Sequence, residues 1–122
     1  MSTTTNPAHD LGHRGEDLAA DHLRAQGLRL LSRNWRGAAG ELDLVATDGS
    51  ALVVCEVKTR SADDHGTPAE AVTEDKARHI RNATQEWLRH YGVTLPVRYD
   101  VLAVLWPAGG KPRLEHLRGA FR

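Results

Sequence analysis

A single cysteine among 122 residues leaves no internal disulfide framework and points to a reducing, cytoplasmic setting. Net charge is also absent. Sixteen Lys and Arg balance sixteen Asp and Glu, which argues against a strongly basic, general nucleic-acid binder. No apolar run approaches the roughly 18 residues of a membrane span, so no membrane partner is expected. The longest such run, Ala51 to Cys55, suits a buried strand. Met1 to His9 are polar and lack the basic-then-apolar pattern of a signal peptide. No internal repeat is visible. Aromatics are few, and Trp35, Trp87 and Trp106 are expected in the core or at its edge, not as base-stacking platforms. Cys55 shares the apolar side of its segment and reads as a small core residue, not a nucleophile. His9 and His13 have the spacing of a helical metal pair, but no third ligand sits at a matching distance, so zinc is not expected.

What is present is enough for one domain. The length and 40% hydrophobic content allow a single core, with residues 1–9 as a disordered tail and residues 10–122 as the domain. Asp10 to Gln26 carries apolar and small residues at helical spacing, with Gly27 as its stop. Leu28 to Trp35 reads as a strand. Glu41 to Thr47 and Ala51 to Arg60 are two more, separated by the hairpin signal Asp48-Gly49. Ser61 to Thr67, with Asp63 and Asp64, reads as a mobile loop placed to cover a substrate. Pro68 opens a helix to about His90, with the core stripe Ala69, Val72, Lys76, Ile80, Ala83, Trp87 and Tyr91. Val97 to Trp106 is a further strand, and Arg113 to Leu117 a short edge strand. The order α-β-β-β-α-β calls for an α/β fold with a mixed central sheet flanked by helices. From Pro96 onward Arg98, Lys111, Arg113, Arg118 and Arg122 outweigh Asp100 and Glu115, so that end is locally basic.

The hairpin carries the chemistry. With Asp48 and Gly49 as its loop, paired residue numbers sum to 97, setting Glu41 opposite Glu56 and Asp43 opposite Val54. Side chains alternate along a strand, so Glu41, Asp43, Glu56 and Lys58 share one face. Leu42, Leu44, Val53, Cys55 and Val57 share the other, an apolar set suited to packing under a helix. A four-residue loop preserves this division and a three-residue loop destroys it. Three carboxylates on one face repel at close range unless water or a bound divalent cation offsets them. Mg²⁺ and Mn²⁺ take a few carboxylates plus waters and substrate phosphate. Such an ion polarises a phosphoryl oxygen and acidifies a bound water, and Lys58 is placed to orient that water or neutralise developing charge. The plain alternative is a surface hairpin with cross-strand salt bridges. Glu16 lies on the inward stripe Gly12, Glu16, Ala19, Leu23, where a carboxylate needs a partner, and the hairpin face is the nearest candidate.

Gly15-Glu16, Arg33-Asn34-Trp35-Arg36, Gly40-Glu41-Leu42-Asp43-Leu44, Glu56-Val57-Lys58-Thr59-Arg60, Pro68-Ala69-Glu70-Ala71-Val72 and Arg98-Tyr99-Asp100-Val101 fall in order from about residue 11 to 105. In these stretches the sequence resembles the YraN family, which in turn is similar to the PD-(D/E)XK nucleases, including restriction endonucleases and archaeal Holliday-junction resolvases. The resemblance implies a restriction-endonuclease-like αβββαβ core and a nuclease site with Mg²⁺ or Mn²⁺ as cofactor. Asp43 takes the place of the first metal-binding acid, Glu56-Val57-Lys58 matches the (D/E)-X-K element, and Glu16 resembles the helix-one acid of the resolvases. Leu42 stands where the motif has proline, a departure that leaves the acid chemistry intact. The expectation is a metal-dependent endonuclease hydrolysing DNA phosphodiester bonds, in branched or structured DNA. Its catalytic set is Lys58, Glu56, Asp43, Glu16 and Glu41, and its metal ligands are Asp43, Glu56 and Glu16. DNA is the expected partner, and a homodimer suits the resolvase likeness. The rival is a catalytically silent nucleic-acid-binding or protein-assembly module with the same fold, since fold and activity are separable.

Arg60, Lys76, Arg78 and Arg81 are the candidates for substrate contact. Arg78, Arg81, Gln85 and Arg89 line one face of the long helix, but Glu74, Asp75 and Glu86 interleave with them, and an ordinary solvated face explains the pattern more simply. Lys76 interrupts the core stripe and either reaches the acidic hairpin face or snorkels to solvent, the second being the plainer reading. Asp100 pairs with Arg98 or buttresses Lys58, and a structural ion pair is the safer expectation.

Overall fold

The helical spacing in the N-terminal segment becomes α1 (Pro7–Ala25) in the computed structural model, which describes residues 7–61 and 72–122. Pro7 to His9, expected in the tail, belong to this helix; a proline near a helix start has its φ already set and gives up an amide that has no partner there. The remaining tail residues, 1–6, lie outside the described part. Gly27 ends the helix as expected. Its φ of 86° is one that glycine adopts without a steric penalty, and the Leu28 amide returns to the Leu23 carbonyl at 3.0 Å.

The strands are β1 (Arg29–Arg36), β2 (Glu41–Thr47), β3 (Leu52–Arg60), β4 (Val97–Leu105) and β5 (Arg113–Phe121), joined in the order β1-β2-β3-β4-β5. All neighbours are antiparallel except β3 and β4, which run parallel through the crossover that contains α2 (Glu74–Tyr91). The expected αβββαβ order and mixed sheet are therefore present, with one strand added. That strand, β5, extends to Phe121 and not just to Leu117. Gly119, at φ 59°, lies beside a register shift between Tyr99 and Val101, so the strand absorbs the irregularity and continues until Phe121 stacks on Tyr99.

The long helix is also corrected at its start. Thr73 has an extended backbone and caps α2, its hydroxyl accepting from the Lys76 amide at 3.1 Å. Glu74 and Asp75 then place negative charge at the positive end of the helix, which makes this a better start than a proline several residues upstream. Pro68, Ala69 and the expected loop from 62 to 67, with Asp63 and Asp64, lie outside the described residues.

Each helix covers one face of the sheet. Val45, Leu52, Val54 and Tyr99 pack with Ile80, Ala83 and Trp87 of α2. Leu44, Ala46, Cys55 and Leu102 pack with Ala19, Ala20 and Leu23 of α1. The alternation read from the sequence thus divides the strands between two cores, except that Leu42, expected beside Leu44, joins the α2 side. On α2, Ile80, Ala83 and Trp87 are buried as expected, joined by Ala77 and Thr84, whereas Lys76 and Tyr91 are exposed. Trp35 sits at the core edge, and Trp106 lies under the Arg14 guanidinium, 4.1 Å from the ring centroid. Gly15 lets α1 approach β3 closely, for a Cβ there would meet Thr59 Oγ1 at 2.0 Å.

Candidate active site

The β2–β3 register differs from expectation in number but not in consequence. Leu44 pairs with Cys55 and Thr47 with Leu52, so paired numbers sum to 99 and not 97. Asp48 explains the longer turn. Its carboxylate accepts from the amides of Ser50 and Ala51 at 2.8 and 2.9 Å, closing a four-residue loop in place of a two-residue one. Both sums are odd, so Asp43 and Glu56 still fall together. The expected apolar face is split, however: Leu42 packs with Val45 and Val54 on the α2 side, whereas Leu44 and Cys55 pack on the α1 side. Continuing the observed register brings Asp43 directly opposite Glu56.

The ladder stops one pair short of them. Beyond Leu44 and Cys55 the Asp43 carboxylate takes over, its Oδ2 accepting from the Val57 amide at 2.9 Å. The Asp43 carboxyl thereby lies close enough to Glu56 for that group to act on its ionisation. Burial first, and then the charge of Glu56, push the Asp43 pKa up to about 7, against the lowering effect of the Val57 amide. Two carboxyls this close titrate as a unit, so the pair holds a proton until near neutrality.

Lys76 supplies the nearest positive charge. Its Nζ lies 2.5 Å from Glu56 Oε1, so the ammonium reaches the acidic face; the simpler expectation, that it snorkels away, is overturned. The Glu56 side chain is 11% exposed and that of Lys76 45%. Burial works against the ammonium, but Glu56 and then Asp43 outweigh it and hold its pKa above the ordinary lysine value. The reason is positional: the Thr73 cap fixes the first turn of α2 over the end of β3.

The other expected site residues stand further off. Lys58 is exposed on β3, two positions past Glu56 and on the same face by alternation. Glu41 is exposed, with Arg36 3.7 Å away. Glu16 is not drawn into the acidic pair. It accepts from Asn34 Nδ2 at 2.8 Å, although its charge still contributes at Asp43. Asn34 has a φ of 50°, a left-handed conformation that asparagine tolerates better than most residues. Arg60 continues β3, its carbonyl accepting from the Trp106 amide at 2.7 Å. Arg78 pairs with Asp75, and Arg81 with Glu74 and the carbonyl of Arg122. These two arginines thus serve the solvated face of α2.

A second polar cluster was read from the sequence only in its Arg98–Asp100 pair. Asp100 is fully buried, held by both arms of Arg98 at 2.9 Å, by His116 Nε2 at 2.8 Å and by the Gly119 amide at 3.0 Å. His116 Nδ1 in turn meets His22 Nε2 of α1 at 3.1 Å. Burial raises the Asp100 pKa, but Arg98, Gly119 and His116 together hold it below the usual value. The Arg98 pair is the one expected. Buttressing of Lys58 is not possible, because Asp100 lies on the α1 side of the sheet with Leu102. His22 and His116 are 94 residues apart, and no local pattern announces their contact. The buried Cys55 thiol has its pKa raised chiefly by burial, in keeping with a core role.

Among the described residues no group of three or more His, Cys, Asp or Glu could hold a metal ion. The available donors are two carboxylates with only oxygen atoms to offer. That set suits a hard cation that retains waters, such as Mg²⁺ or Mn²⁺, and it does not suit zinc. No helix among the described residues is long and apolar enough to cross a membrane.

The sequence profile of an uncharacterised protein family, UPF0102, matches residues 15–104. A UPF0102 protein of Frankia casuarinae is 54% identical over 112 residues, covering 91% of this chain and 95% of the relative. One from Renibacterium salmoninarum is 50% identical over 111 residues, covering 90% and 94%. One from Acidothermus cellulolyticus is 43% identical across 99% of this chain and all of its own length.

Proposed function

This chain belongs to UPF0102, the YraN family, and from its site we propose that it is a divalent-metal-dependent nuclease hydrolysing phosphodiester bonds in DNA. The juxtaposition of Asp43 and Glu56 across the β2–β3 register carries this reading. Such a pair repels unless a proton, an ammonium or a metal ion offsets it, and it stands where β2 and β3 part. Asp43 and Glu56 would hold Mg²⁺ or Mn²⁺, with Glu16 reaching the shell through water. The cation, when bound, polarises a phosphoryl oxygen and acidifies a water. Lys58 orients the attacking water and offsets the charge that grows on the scissile phosphate. Arg60, two residues further along β3, contacts the flanking backbone. Branched or structured DNA is the substrate that the resolvase likeness suggests.

Cleavage of single-stranded, duplex and junction DNA with Mg²⁺ and with Mn²⁺ tests the proposal. Asp43→Ala and Lys58→Ala are each expected to slow cleavage by about 100-fold or more. Undiminished cleavage by either variant, or no cleavage of any substrate, defeats it. A catalytically silent binding module is the second reading. It is favoured by the balanced charge and by the pairing of Arg78 and Arg81 with Asp75 and Glu74, which leaves less positive surface for phosphate. Binding of Mn²⁺ without turnover would select it.

A further inference from the structure

Lys76 is tied to Glu56 more closely than a surface lysine needs to be. Its ammonium contacts Glu56 Oε1 at 2.5 Å, while that carboxylate is almost closed to solvent. Mg²⁺ binds carboxylate oxygens at about 2.0–2.1 Å, so an ammonium at this oxygen occupies the position a cation needs. Both cannot use Oε1 together, and like charges so close would repel. The lysine has a way out. Its side chain is 45% exposed on a flexible stem, so the ammonium can return to water without being stranded in the core.

We infer that Lys76 is the resident counter-ion of the acidic pair, that a divalent cation enters by displacing it from Glu56, and that the released ammonium meets the incoming phosphate. Metal entry is then an exchange of one cation for another. This exchange rests on the metal-dependent reading above, and it adds a residue from α2 to a site otherwise built on β2 and β3. Until the metal arrives, Lys76 offsets the repulsion between Asp43 and Glu56. Once displaced, its positive charge is at the mouth of the site, where a phosphodiester would be drawn in.

Calorimetric titration of the full chain with Mn²⁺ at fixed pH and ionic strength tests this without reference to cleavage. Lys76→Met and Lys76→Gln remove the competing charge and should tighten Mn²⁺ binding by roughly three- to fivefold, the upper scale of one partly exposed ion pair. Lys76→Arg keeps the charge and should stay within about twofold of the parent. Glu56→Gln should abolish the heat of binding and so assign it to this site. The rise in melting temperature on adding Mn²⁺ should likewise be larger for Lys76→Met than for the parent, provided both fold. If the parent binds Mn²⁺ and Lys76→Met and Lys76→Gln bind it equally or more weakly, the exchange is overturned while the metal site stands. If none of these chains binds Mn²⁺, the exchange and the metal-dependent reading fail together.

Discussion

At the scale of the residue, Asp43 controls the behaviour of the site. Its folded pKa of about 7 lies far above the ordinary value of 3.8, so the folded chain binds a proton that the unfolded chain has released. Stability from this group is therefore full below about pH 4 and is lost as the pH rises through 7. Asp43→Asn should remove that loss, leaving the variant more stable than the parent at pH 8 by a few kcal/mol at most, since each pKa unit is worth about 1.4 kcal/mol. Urea denaturation of both chains at pH 5 and pH 8 would show it. A parent that gains stability between those values, once its histidines are allowed for, would contradict this. The sequence set Asp43 and Glu56 on one face but paired Asp43 with Val54, because the Asp48 turn that shifts the register by two residues was not read. It did not reveal Lys76, because helical spacing assigns a residue to a face without saying how far its side chain reaches.

At the scale of the element, two local devices hold the site together. Gly15 brings α1 against Thr59, and the place a Cβ would take is already filled by the threonine side chain. Gly15→Ala should cost about 1–3 kcal/mol through overpacking, although alanine is the better helix former. A stabilised variant in thermal melts would show that the helix can retreat. Thr73 caps α2 one turn before the lysine that reaches Glu56. Thr73→Ala should lower stability by about 1 kcal/mol, seen as a lower urea midpoint with an unchanged slope. The cap was missed because Pro68 offered a competing start, and the chain between the two carries no pattern to decide. Gly27 was read correctly because a left-handed helix end is a local event with a local residue preference.

At the scale of the whole molecule, the Asp100 cluster ties α1, β4 and β5 into one unit. Removing one partner of a buried ion pair costs about 3–5 kcal/mol, and Asp100→Asn should fall near the lower end because Arg98 can turn to water. Chemical denaturation measures this directly. His22 has its pKa lowered by burial first and then by His116 and Arg118, so its contribution is present above about 6.5 and fades as the solution is acidified. Beyond the Arg98–Asp100 pair, none of this could be read from the chain. The order of strands follows from local runs and turns, whereas the meeting of His22 with His116 depends on where the last strand docks. The length of β5 was underestimated for the same reason, since a strand that ends on an aromatic stack is defined by its neighbour.

The parallel ladder between β3 and β4 also imposes an order in time. It joins Leu52 to Val97, 45 positions along the chain, whereas the antiparallel turn of β2 into β3 joins near neighbours. Short loops close quickly and distant pairings late, so the meander of the first three strands should form in the folding nucleus and the crossover should dock afterwards. Asp43 and Glu56 are thus set side by side before the helix that carries their lysine has arrived. Until that helix docks the pair lacks its ammonium, and a shared proton is what the folding chain has to offset the repulsion.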